Sequence, residues 1–128
     1  MQKKTLPNKP LIQNPSWNAL KTHHQDIAHT SIKTHFENEP NRLDYTSFDW
    51  EDFYVDISKN RIDKKGFELL LAIAKESGLS QAIKMQFSGI LINSTENRAV
   101  LHTALRSLKK EPILVDGKDI LPEILHVE

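Results

Sequence analysis

The chain contains no cysteine, which excludes a disulfide framework, a thiolate metal cluster and a cysteine nucleophile, and suits a reducing, cytoplasmic setting. Its four glycines, Gly66, Gly78, Gly89 and Gly117, stand too far apart to build a loop that cradles phosphate with backbone N–H groups. No Gly-x-Ser-x-Gly elbow and no His-Glu-x-x-His spacing occurs, so the motifs of a serine nucleophile and of a zinc centre are both missing. No run approaches the roughly 18 to 20 consecutive apolar residues of a membrane-spanning helix. The N-terminal stretch carries Lys3, Lys4 and Lys9 but scatters Leu6, Leu11 and Ile12 among prolines and polar residues, unlike the apolar core of a secretory signal. Neither export nor a membrane partner is implied. Neither sign of charge is in excess, with 17 Lys plus Arg against 17 Asp plus Glu, and nucleic acid is not an expected partner.

What is present describes a soluble globular chain of 128 residues, 38% apolar and 27% charged, a length that suits one domain around one core. Residues 1–13, with Pro7 and Pro10, read as an irregular tail. Asn14-Pro15 is a helix start, an amide cap followed by proline where its missing N–H costs nothing, and the helix should run to about Gln25. A second helix near Thr30 to Glu39 places Ile32 and Phe36 on one face before Pro40 interrupts it. Tyr45, Phe48, Trp50, Phe53 and Tyr54 crowd into ten residues around Glu51-Asp52. Their alternation predicts two short half-buried strands joined as a hairpin with one wet face.

From Asp63 the period lengthens to about 3.6. Phe67, Leu70, Leu71 and Ala74 form a helical stripe, widened by Leu69 and Ile73 and stopped by Gly78. Ser80 is placed to cap a shorter helix through Phe87, closed by Gly89. Asn93 or Thr95 opens a further helix whose stripe is Leu101, Ala104, Leu105 and Leu108. Pro112 ends it, Ile113 to Val115 is a short strand, Asp116-Gly117 a tight turn and Pro122-Glu123 a helix start. No internal repeat or low-complexity segment is present.

Six histidines are the first candidates for ligands or acid–base groups. His23 and His24 diverge on a helix, and His29 and His35 lie in separate surroundings. They read as solvated surface residues with no metal site among them. Arg98, His102 and Arg106 recur every fourth residue and would share one helix side able to meet a carboxylate or phosphate; pairing with the acidic stretch Asp49 to Asp56 is the simpler role. Glu51 and Asp52 sit at a turn, where water keeps carboxyls ordinary, so no catalytic acid pair is named.

From Phe87 to Arg106 the chain reads Phe-Ser-Gly-Ile-Leu-Ile-Asn-Ser-Thr-Glu-Asn-Arg-Ala-Val-Leu-His-Thr-Ala-Leu-Arg. This closely resembles the N-terminal part of the glucose-6-phosphate isomerase family. The likeness extends upstream to Val55-Asp56-Ile57-Ser58-Lys59-Asn60-Arg61-Ile62 and downstream to Pro112-Ile113-Leu114-Val115-Asp116-Gly117-Lys118-Asp119, with unchanged spacing. It departs at Ile90-Leu91, where members often carry charges, at the variable Ser94, and at Ile57, which replaces a frequent tyrosine.

The resemblance implies an α/β enzyme of two sugar-isomerase (SIS) αβα sandwich domains, a cytoplasmic homodimer of glycolysis and gluconeogenesis. It would interconvert glucose 6-phosphate and fructose 6-phosphate without metal or organic cofactor. In that family a histidine and a lysine help open the ring, a glutamate moves a proton through an enediol, and serines and threonines behind Gly-Gly-Ser hold the phosphate. None of these motifs falls in this chain, so it supplies no catalytic, substrate-binding, cofactor-binding or metal residue; His102, Glu96 and Glu123 stand in scaffold motifs. The expected organisation is a tail over 1–13 and an N-terminal scaffold segment over 14–128, mostly helical α+β with one β-hairpin, running into the start of the first SIS domain. Such a fragment is expected to be inactive alone. The alternative is a truncated product acting as an interaction module that pairs with full-length subunits.

Overall fold

The structure, a computed structural model, describes residues 10–93, 96, 98–106, 111–115 and 117–126. Where the length suggested one core, the described residues form two compact units, one up to Glu76 and the other from Ser77 onward. Residues 1–9 of the expected tail, with Ser94, Thr95, Leu108 and Asp116, lie outside the described residues.

In the first unit, a short 3-10 turn over Leu11–Gln13 leads into α1, Pro15–Ile27. As expected, Asn14 caps it: its side-chain oxygen accepts the Trp17 N–H at 3.2 Å, and Pro15 occupies the first turn. Trp17, Leu20 and Ile27 are half-buried and His23 is buried, at the three- and four-residue spacings that make one helix face. α1 packs against α4, Lys64–Glu76, and Ser16 Oγ donates to Glu76 Oε1 at 2.6 Å.

Between them come α2, Ile32–Asn38, capped by the Ser31 hydroxyl, and α3, Leu43–Thr46. No pattern of residues announced α3. It is a single turn, and the Thr46 and Ser47 hydroxyls donate back to the carbonyls of Arg42 and Leu43 at 2.7 and 2.8 Å. The expected hairpin comes next as β1, Ser47–Trp50, and β2, Phe53–Asp56, in register Phe48 with Val55 and Trp50 with Phe53. Its loop is Glu51-Asp52, with Glu51 at φ 51°.

Two apolar faces differ from expectation. Along α4 the flanking residues Leu69 and Ile73 are half-buried while Leu70 and Leu71 are 45% and 57% exposed, because α4 carries more apolar surface than one packed helix covers. In α2 it is His35 that turns inward, leaving Ile32 and Phe36 exposed. The strands of the hairpin are mostly exposed rather than half-buried.

In the second unit, α5 spans Leu79–Phe87. Its N-cap is Gly78 at φ 72°, and Ser80 lies inside the helix instead of capping it. Among the described residues, the long helix expected from Asn93 is not formed. The Asn93 side chain accepts the Glu96 N–H at 3.2 Å as a cap would, but Asn93 and Arg98 also exchange backbone N–H···O bonds of 3.1 and 3.2 Å. An asparagine that can cap a helix serves a turn equally well.

The helical stretch that remains is α6, His102–Leu105. Beyond the single hairpin expected, β3, Leu114–Val115, pairs antiparallel with β4, Lys118–Asp119, and α7, Leu121–Leu125, comes after them. Asp119 ties this end together, its Oδ1 accepting the N–H groups of Ile113 and Leu121 at 3.1 and 3.0 Å. Ala104, Ile120 and Ile124 form the buried cluster, with Leu101, Ile113 and Val115 against it.

Gly89 and Gly117 both have positive φ, 71° and 83°, yet their surroundings differ. A Cβ at Gly89 would stand 2.7 Å from the Leu114 carbonyl oxygen, whereas one at Gly117 would meet nothing within 4 Å. Gly117→Ala is expected to cost about 1 kcal/mol from the left-handed backbone alone. Gly89→Ala must also push β3 away, and its urea midpoint should fall clearly further; equal losses would show that the close approach carries no weight.

Candidate functional site

The residues of the first unit most completely removed from water are polar: Thr46 is 0%, Arg42 1% and Ser58 2% exposed. A guanidinium never gives up its charge, so burying it requires partners for its fork of donors. Arg42 finds them in three chain segments. Its Nε donates to the Ser58 carbonyl at 2.8 Å and one terminal nitrogen to the Asn60 carbonyl at 2.7 Å. The other terminal nitrogen donates to Glu39 Oε2 at 2.7 Å and to the Tyr45 hydroxyl at 3.2 Å. The Phe36 ring lies 5.5 Å from the guanidinium carbon, at cation–π distance.

Glu39 joins these segments to a fourth. While Oε2 receives Arg42 and the Tyr45 hydroxyl, which donates at 2.7 Å, Oε1 accepts the Lys64 N–H at 2.8 Å and so caps the first turn of α4. Burial pushes the Glu39 carboxyl up, but the Lys64 N–H, the Tyr45 hydroxyl and the Arg42 charge together outweigh it and hold the group below its ordinary value. Tyr45 moves the other way: burial, then its bond to the Glu39 carboxylate, raise the phenol to about 12. Its ring also leans on Phe67 with centroids 5.5 Å apart.

A second polar pair stands at the same helix start. Asp63 Oδ1 accepts the Gly66 N–H at 2.8 Å, as an N-cap does, and takes a bond of 2.7 Å from His23 Nε2 of α1. Burial raises the Asp63 carboxyl, and the His23 bond, the Gly66 N–H and the charges of His23 and His35 bring it below its ordinary value. His23 and His35 are 6% and 4% exposed, which corrects their reading as surface residues. His24, His29, His102 and His126 are exposed.

Chemically this cluster holds chain segments and offers nothing to transfer. Both Glu39 oxygens are occupied, and Tyr45 near 12 is no base at neutral pH. The cationic trio of the sequence does not assemble on one helix. Arg98 lies in the turn closed with Asn93, His102 begins α6 and Arg106 stands just past its end. Arg98 has Glu96 at 3.9 Å, both of them exposed, so its carboxylate partner is a neighbour in the turn. Among the described residues, no group of three or more His, Asp or Glu side chains is arranged to hold a metal ion, and no helix is long and apolar enough to cross a membrane.

A family model described as phosphoglucose isomerase matches residues 56–128, more than half of the chain. The chain belongs to the phosphoglucose isomerase family. It is 43% identical over 115 residues to the glucose-6-phosphate isomerase of Desulforapulum autotrophicum, covering 90% of this chain and 21% of that protein. With the glucose-6-phosphate isomerase of Christiangramia forsetii it shares 44% over 113 residues, 88% of this chain and 21% of the relative. That of Nitrosospira multiformis is 43% identical over 115 residues, at 90% and 21%. The chain thus spans about a fifth of the length of the curated relatives it matches.

The phosphoglucose isomerase match begins at Asp56, whose Oδ1 accepts the Ser58 N–H at 2.7 Å. It takes in the acceptor loop of Ser58 and Asn60 and the helix start at Asp63 and Lys64, while Glu39, Arg42 and Tyr45 precede it. The loop was visible in the sequence as a family block, but its partner was not. The signal was the spacing of Glu39, Arg42 and Tyr45, three residues apart in turn just ahead of that block.

Arg42→Met should lower stability by about 3–5 kcal/mol, because it leaves the Ser58 and Asn60 carbonyls without the Arg42 donor and the Glu39 carboxylate without its cation. Arg42→Lys should recover only part of this, since an ammonium cannot span the same fork; a lysine variant with the original urea midpoint would refute the fork geometry.

The chain has two tyrosines, so in Tyr54→Phe the remaining phenol reports on Tyr45. Its absorbance should titrate at about 12. Because the folded state favours the protonated phenol, its contribution to stability is complete below the ordinary 10.0 and lost as pH rises toward 12. In Glu39→Gln the titration midpoint should fall.

Proposed function

We propose that this chain is the N-terminal scaffold segment of a glucose-6-phosphate isomerase, with residues 14–128 running into the start of the first SIS domain. The whole polypeptide would interconvert glucose 6-phosphate and fructose 6-phosphate as a cytoplasmic homodimer. The observation that carries this reading is identity of 43% sustained over 115 residues of a relative bearing that name, across only 21% of its length. The occupied Arg42 cluster supports a scaffolding role, since its polar groups satisfy one another. The catalytic and substrate-binding residues would then lie outside this chain.

A second reading, an interaction module that pairs with full-length subunits, draws support from the apolar side chains left exposed, Leu70, Leu71 and Phe87 among them. An isomerase assay separates the roles. The purified 128-residue chain should form no fructose 6-phosphate above a mock preparation. A hybrid in which it replaces the matching fifth of the Christiangramia forsetii isomerase should turn over. Activity of the isolated chain would overturn the scaffold role, and a folded but inactive hybrid would overturn its equivalence to the relative's segment.

A further inference from the structure

The register of the hairpin sorts its side chains into two unlike faces. Directly opposed residues share a face and alternate residues along a strand do too, so Phe48, Trp50, Phe53 and Val55 form one side and Ser47, Asp49, Tyr54 and Asp56 the other. The first side is wholly apolar and mostly in water: Phe48 is 53%, Trp50 61% and Phe53 63% exposed. The stacking of Trp50 on Phe53, with centroids 5.8 Å apart, covers only part of either ring. A two-stranded hairpin is marginal on its own, and three aromatics turned to water on one of its faces mark a surface made to be covered.

Charge decides what can cover it. Asp44, Asp49, Glu51, Asp52 and Asp56 all lie in or beside the hairpin and are exposed, with no Lys or Arg from residue 44 to residue 56. The same hairpin of a second copy, packed face to face, would bring an equal set of carboxylates against these, which repel at the short distances of an interface. The fitting occupant is apolar at its centre and carries Lys and Arg at its rim.

We propose that the Phe48–Trp50–Phe53–Val55 face docks onto such a surface in the part of the isomerase polypeptide outside the matched segment. This rests on the scaffold reading above, and on the length that reading leaves over: the matched segment is 21% of each relative. The hairpin is then the point at which the scaffold segment grips the remaining four-fifths, and its acidic loop selects the basic rim.

Hydroxyl-radical footprinting read by mass spectrometry tests this, comparing the isolated chain with hybrids to the Christiangramia forsetii and Nitrosospira multiformis isomerases. Trp50 and Phe53 should label severalfold less in the hybrids, while Tyr54 on the opposite face changes little. Unchanged labelling of Trp50 and Phe53 overturns the proposal. So does protection in the isolated chain that grows with its concentration, which would assign the face to self-association. Reversing the loop charges with Glu51→Lys and Asp52→Lys should reduce protection in the hybrids, and undiminished protection would refute the basic rim. The footprint is read whether or not a hybrid turns over. A protected but inactive hybrid upholds the docking face while sinking the equivalence to the relative's segment, and an active hybrid with exposed aromatics does the reverse.

Discussion

Burying one guanidinium organises the first unit. Arg42 is a permanent cation withdrawn from water, and the cost of that withdrawal is met only if carbonyl and carboxylate oxygens converge on it from fixed directions. That demand fixes the loop at Ser58 and Asn60, the end of α2 at Glu39 and, through the other oxygen of Glu39, the beginning of α4. Four segments without a common apolar centre are thereby held in one arrangement. Among the described residues the buried hydrophobic ones, Met85, Ala104, Ile120 and Ile124, all belong to the second unit. The two units of one short chain therefore rely on different physics, directional bonds in one and apolar packing in the other.

Much of the local structure was legible because single residues announced it. Asn14-Pro15 specified the start of α1, the alternating aromatics specified the hairpin, and the run after Asp63 specified α4. The assumption that apolar residues point inward fails in α2. His35 is buried and Phe36 is not, because the inward side of that helix serves a polar cluster and Phe36 lies over a cation. His23 was visible in principle, standing three residues after Leu20 and four before Ile27, but a histidine between apolar neighbours reads as polar surface.

The candidate site was less legible than the elements that carry it. Three of its acceptors are backbone carbonyls or a carboxylate in loops, and main-chain oxygens leave no mark on a sequence. The family blocks located the loop from Val55 to Ile62 without giving its purpose. Asn93 shows the complementary failure: one side chain suits a cap and a turn alike, and only its backbone bonds to Arg98 decide between them. The cationic trio depended on that helix and dispersed with it.

The partners of Arg42 bear also on how the protein is made. Every group that meets the guanidinium, and the helix start that Glu39 serves, lies between Phe36 and Lys64. Short separations close at little entropic cost, and a chain emerges from the ribosome in order. The cluster is therefore complete as soon as this stretch is free, while the second unit is still being synthesised. A nascent chain would carry the Arg42 charge already neutralised before its later residues are made.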